Sequence, residues 1–336
     1  MTETPMRHAT ISGGGLHVPA RLVPNSEFNL RYGIDVDSFL VENRNIRQRY
    51  YMADDEATSD LVVPAARESL AAAGITAEDL DLVIIATDTP DYVSPSTAAV
   101  VQYKLGARNA GVFDVNTACS GFVTALDMAG KYIAADAHYR HILVAGAYGM
   151  SKYLDFDDHK IATLFADGAG AVVVSASEQP GILASTLYAD GQYHDYMGIY
   201  AGGTHMPVTA DVLGRKDHLL RFAKKIPIET NATHWPRLVR TLLEKTGRTI
   251  DQVDRFFFTQ ININSINETL DTLGVAHARA HNIMDRYAYT GSACIPMALA
   301  DAARQHLLAP GDFVMMVGSG GGMSMAAVAL DWTTTT

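Results

Sequence analysis

The sequence predicts an α/β protein built from two similar halves, each with a mixed sheet and its own covering helices. Three observations carry this. A helix, a glycine stop and a buried strand follow one another twice along the chain. A turn of small residues at Cys119, between a strand pattern and a helix pattern, is echoed around Ser292. Two late strand-like stretches, Ile142-Leu-Val-Ala-Gly-Ala and Val314-Met-Met-Val-Gly-Ser, also correspond.

In chain order, the stretch from Ala65 to Ala73 has helical periodicity, Gly74 stops it, and Leu82-Val-Ile-Ile-Ala-Thr87 reads as a buried strand. Phe113-Asp-Val-Asn-Thr-Ala-Cys119-Ser-Gly-Phe122 takes a β-branched strand into small residues and then into Phe122-Val-Thr-Ala-Leu-Asp-Met-Ala-Gly-Lys-Tyr, a helix. After Ala166-Asp-Gly-Ala-Gly-Ala-Val-Val-Val174, the cluster Ser177-Glu-Gln-Pro-Gly181 reads as a tight turn. It sets the expected boundary, giving halves 1–178 and 179–336. In the second half, Leu238 to Thr246, Gly247 and Asp254-Arg-Phe-Phe-Phe-Thr-Gln260 repeat the first pattern. Gly291-Ser292-Ala-Cys-Ile-Pro-Met-Ala-Leu299 repeats the Cys119 segment. Gly74 and Gly247, Asp81 and Asp254, and Cys119 and Ser292 are each 173 positions apart. A duplication of this kind brings the N-termini of the two central helices close to a pseudo-twofold axis.

Composition narrows the partners. The 336 residues are 48% hydrophobic and 19% charged, enough for one large core or two fused ones. A net charge of −11 argues against nucleic acid and anionic membranes as partners. Two cysteines, Cys119 and Cys294, suit a reducing cytosol better than a disulfide framework. The opening Met1-Thr-Glu-Thr-Pro-Met-Arg7 lacks a signal-peptide plan, and no apolar run approaches membrane-spanning length. A cytoplasmic protein is expected.

Cys119 is the residue most suggestive of chemistry. A thiol at the start of a helix faces free N–H groups and the positive end of the helix dipole, which favour thiolate. Thiolate is the form that attacks a thioester. A small buried residue at a tight junction is the plain alternative.

These motifs, in this order, resemble a family. The Ala-Cys-Ser-Gly-Phe turn, the Ala-Asp-Gly-Ala-Gly-Ala segment and the Gly320-Gly-Gly322 loop are similar to those of the β-ketoacyl-acyl-carrier-protein synthases III. Asn45-Ile-Arg-Gln-Arg49, Ala57-Thr-Ser-Asp-Leu61, Pro95-Ser-Thr-Ala-Ala99 and Leu308-Ala-Pro-Gly-Asp312 add to the resemblance. It implies a thiolase-like fold, with duplicated mixed-sheet halves in a layered αβαβα arrangement. It also implies a homodimer and a ping-pong reaction. An acyl group passes from coenzyme A, or from the phosphopantetheine of an acyl-carrier protein, to Cys119. A malonyl thioester then decarboxylates and its enolate attacks. The thioesters are substrates; no metal and no tightly bound cofactor is expected. The oxyanion hole falls to the N–H groups of Cys119 and Gly321.

The departures shape the functional expectation. The family's His falls at Thr259 and its Asn at Tyr289. Both normally donate hydrogen bonds to the enolate formed as carbon dioxide leaves, and each lost donor costs orders of magnitude in rate. Thr259 offers at best one weak donor. The Tyr289 ring occupies space where malonyl would lie. The expected activity is therefore transfer of the acyl group from Cys119 to a small-molecule acceptor other than malonyl, in secondary metabolism. Two alternatives stand. One is a condensing enzyme in which Tyr289, Gln260 or Asn262 stabilises the enolate; the other is a non-catalytic partner of an active synthase.

Other positions follow from the same resemblance. His194 is the candidate substitute base, with Asp195 and His205 nearby. Ser292, the counterpart of Cys119, is a pocket candidate. An aromatic acyl gate contributed across the dimer falls at Ser94, with Tyr92 close. The residues that hold adenine fall at Phe39, Asn43 and His159, which removes two guanidiniums but leaves a ring able to stack. Lys160, Arg215, Lys216, Lys224 and Lys225 are the nearby basic candidates.

Overall fold

The computed structural model describes residues 7–334; the expectation about Met1 to Met6 lies outside the described residues. Two mixed sheets form the frame. The first runs in the order His8–His17, Asp167–Ser177, His141–Gly149, Leu82–Ala86, Gly111–Val115. Its first two pairings are antiparallel and its last two parallel. The second runs Ile182–Ala189, Ser324–Asp331, Phe313–Gly320, Arg255–Phe258, with two antiparallel pairings and then a parallel one. It repeats the first sheet without its outermost strand. A single bridge from Phe256 to Ala280 remains in that place.

The repeated residues have repeated jobs. The helices Thr58–Ala73 and Thr230–Thr246 both end on a left-handed glycine, Gly74 and Gly247, with φ of 67° and 66°. The Asp81 carboxylate accepts the N–H groups of Arg140 and His141, and the Asp254 carboxylate accepts that of Phe313. Each aspartate thus pins the start of the neighbouring strand.

The layers are helix, sheet, helix, sheet, helix. Thr58–Ala73 and Thr230–Thr246 cover the outer faces, while Gly121–Ala135 and Cys294–Arg304 lie between the sheets. The central helices cross over. A Cβ on Gly146, in the first sheet, would meet the Ser292 carbonyl ahead of the second half's helix. A Cβ on Gly318, in the second sheet, would meet Ser120 ahead of the first half's helix. Only glycine allows each helix start to sit so close to the other half's strand. Among the described residues, no helix is long and apolar enough to cross a membrane.

Candidate active site

The strand Gly111–Val115 ends in the turn Asn116 to Ser120, from which the helix Gly121–Ala135 starts. Ala118 is left-handed, with φ of 47°, and its N–H is held by Asn116 Oδ1 at 3.0 Å. The Ser120 hydroxyl donates to Thr117 O at 2.8 Å. This fastened turn sets Cys119 at the bottom of the site, only 3% exposed.

The dipole argument predicts a thiolate here; the structure reverses it. Burial pushes the Cys119 thiol well above its ordinary value, and the nearby Asp88 carboxylate pushes it further. The neighbouring Tyr289 phenol pulls the other way, without cancelling the rise. A helix end contributes about 0.3–1 kcal/mol at ordinary sites, whereas each pKa unit of desolvation is about 1.4 kcal/mol. Desolvation wins, and Cys119 rests as a thiol.

Tyr289 is itself fully buried, between Phe165 at 5.5 Å and Tyr148 at 6.4 Å between ring centres. Its backbone is tied to the segment beside it by Tyr289 N–H to Leu164 O and Ala166 N–H to Tyr289 O. The ring is a wall of the cavity that Cys119 also lines.

Several expected pocket residues serve the scaffold instead. Thr259 Oγ1 donates to Ser319 O at 3.3 Å and accepts the Ser319 N–H at 2.9 Å, so its one proton is used. Gln260 bridges His281 O and the Ile283 N–H. Asn262 caps the helix Ile263–Leu273 through the Asn264 N–H. Ser292 donates to Ala147 O. In each case a main-chain group claims the polar atom that the sequence offers to a substrate.

Two cavities meet at Cys119. One, of about 140 Å³, is mostly apolar: Phe222, Ile226, Pro227, Met323 and Met325 line it, with Thr259 and Tyr289 at its inner end. The other, of about 330 Å³, is lined by Asp88, Asn116, Tyr148, His194 and Tyr200. Gly321 lines the second and Gly320 the first, while Gly322 borders both, so the triple-glycine loop is at the cysteine as expected. His194 stands exposed at the second cavity, with its Nδ1 3.1 Å from Gly191 O.

The remaining candidates lie apart from both cavities. Tyr92 and Ser94 are exposed on the loop after the strand Leu82–Ala86. Phe39, on the helix Asp37–Arg44, is 52% exposed, with the Arg44 guanidinium 5.4 Å from its ring centre. Asn43 reaches back to Phe39 O, and the His159 ring tilts against Tyr32. Three of the basic candidates are neutralised locally: Arg215 by Asp217, Lys216 by Asp155 and Asp157, and Lys224 by Asp195.

Sequence reasoning missed Asp88. It lies two residues past the parallel strand Leu82–Ala86, where open α/β sheets place ligand-binding residues. Burial pushes its carboxyl up to about 6, and Oδ1 has no hydrogen-bond partner. The usable signal was an acid just beyond the carboxyl end of a buried parallel strand.

Comparison with known proteins gives one consistent result. The model of 3-oxoacyl-(acyl-carrier-protein) synthase III matches residues 113–191, and its C-terminal counterpart matches residues 243–332. A 3-oxopimeloyl-(acyl-carrier-protein) synthase of Rhodothermus marinus is 38% identical over 98% of this chain and 96% of its own. A crystal structure of 3-oxoacyl-(acyl-carrier-protein) synthase III from Aquifex aeolicus is 31% identical, with a TM-score of 0.85 over 96% of this chain and 100% of the other. The priming β-ketosynthase of the R1128 polyketide pathway is 29% identical, with a TM-score of 0.89 over 98% of each chain.

Proposed function

The chain belongs to the 3-oxoacyl-(acyl-carrier-protein) synthase III family, and we propose that it is an acyltransferase that uses Cys119 without decarboxylative condensation. An acyl thioester, of coenzyme A or of an acyl-carrier protein, loads Cys119. The thiol proton leaves, sulfur bonds to the acyl carbon, and the thiol of the donor departs. An acceptor other than malonyl then attacks the acyl-cysteine, and the Cys119 thiol is regenerated. The N–H groups of Cys119 and Gly321 are assigned to the oxyanion of both steps. The protein acts as a homodimer in secondary metabolism; the likeness to a priming synthase of a polyketide pathway supports that setting.

One observation carries the reading. The Thr259 hydroxyl is bound to Ser319 through both its proton and its oxygen, and the fully buried Tyr289 ring takes part of the wall of the cavity it shares with Cys119 and Thr259. Intact-protein mass spectrometry with a panel of acyl-CoAs and acyl-carrier proteins tests it, with Cys119→Ala as control. An adduct lost in the control supports the transfer. Release of carbon dioxide from malonyl-CoA at an ordinary synthase rate would overturn it.

A further inference from the structure

We propose that the more polar of the two cavities beside Cys119 is a subsite for a substrate group carrying a protonated amine, with Asp88 as its counter-ion. The inference rests on the acyl-transfer reading for the chemistry at Cys119, but the subsite has its own evidence.

Two residues that line this cavity carry polar atoms that are sealed from solvent and lack a partner, Asp88 at Oδ1 and Tyr200 at its hydroxyl. Buried polar atoms in folded proteins are nearly always satisfied, so orphans that share a cavity mark a place for a ligand. Among the described residues, no lysine or arginine lines this cavity. Cys119, Tyr148 and Tyr153 feel its charge, Tyr200 and Asn116 line the same wall, and His194 stands exposed at the rim. A carboxylate set among a thiol and phenols has no counter-charge of its own. A ligand ammonium supplies that charge and a charge-assisted hydrogen bond, roughly twice as strong as a neutral one. An anionic group in the same cavity meets like charge instead. The contrast with the apolar cavity on the other side of Cys119 gives the site two ends of different chemistry.

The amine can arrive on the acyl group or on the acceptor, and separate arms tell these apart. In the donor arm, Cys119 acylation is timed by mass spectrometry with β-alanyl- and butyryl-pantetheine, a pair differing in a terminal ammonium or methyl. In the acceptor arm, acetyl-Cys119 is challenged with 1,4-diaminobutane or butylamine. A third arm measures thermal upshift of the Cys119→Ala protein by butylammonium or butanol, and needs no acylation.

A preference of about tenfold for the more cationic member in either reactive arm is expected, with an upshift by butylammonium alone. Both collapse to within about twofold in Asp88→Asn. Both also fade below about pH 6 as Asp88 takes up its proton, and the fading persists in His194→Gln. Equal behaviour of both members in all arms, or a preference unchanged in Asp88→Asn, overturns the subsite. Asp88-dependent binding with no acylation by any donor keeps the subsite and sinks the transfer reading.

Discussion

Tyr289 and Cys119 line one cavity, and the phenol beside the sulfur opposes the rise that burial imposes on the thiol. Tyr289 comes from the second half of the chain and Cys119 from the first. The cavity thus joins segments from the two halves of the chain. Tyr289→Phe is expected to slow alkylation of Cys119 by iodoacetamide at pH 8 by about three- to tenfold, the worth of one net hydrogen bond. An unchanged alkylation rate would show that the contact leaves the sulfur unaffected.

Asp88→Asn acts in the opposite direction on the same sulfur. Removing the neighbouring negative charge lowers the thiol, so alkylation above pH 6 is expected to quicken. Stability should move as well. Asp88 is raised to about 6 from its ordinary carboxylate value of 3.8, so its contribution is fully present below the unfolded value and lost as pH rises through 6. At pH 8 the variant should gain at most about 3 kcal/mol over the native protein, and the difference should close near pH 4. Urea titrations at the two pH values check this.

Thr259→Val keeps the shape and removes the two bonds to Ser319, which fix the end of the strand leading into the triple-glycine loop. A half-buried Ser319 N–H left unpaired costs at most about 1–3 kcal/mol. A matching loss in urea denaturation is expected, together with slower acylation as the loop loosens. Full acylation rate at full stability would remove Thr259 from the argument.

Asp301 anchors the second central helix from below. It accepts from His281 at 2.7 Å and from Arg286 at 2.8 and 2.7 Å. Despite burial, these partners hold its carboxyl down to about 2. Its contribution is therefore present above the unfolded value near 3.8 and lost as pH falls through about 2. Asp301→Asn at pH 7 should cost on the order of 3–5 kcal/mol, as breaking a buried ion pair does, measured by chemical denaturation.

What the sequence discloses divides along physical lines. Gly74 and Gly247 are legible because a left-handed helix stop leaves few choices of residue. Asp81 and Asp254 stand out because duplication repeats them, although their work as strand clamps is visible only in three dimensions. The turn at Cys119 is readable from its change of pattern. The protonation of the thiol is not, because it depends on Tyr289 and Asp88, which distant segments bring to it. Gln260, Asn262 and Ser292 mislead because a polar residue near a site can satisfy a carbonyl or a helix end as readily as a ligand. Asp88 and Asp91 look alike on paper. Asp91 accepts the Ser59 N–H and closes a helix start, while Asp88 turns inward with an unmet oxygen.

The crossing of the central helices also sets the order in which the site is finished on the ribosome. Ser120 emerges early, but the glycine that seats it, Gly318, lies near the end of the chain. Domains fold as their residues leave the ribosome, N-terminal parts first. The leading half therefore waits with its cysteine turn unbacked until the strand Phe313–Gly320 arrives.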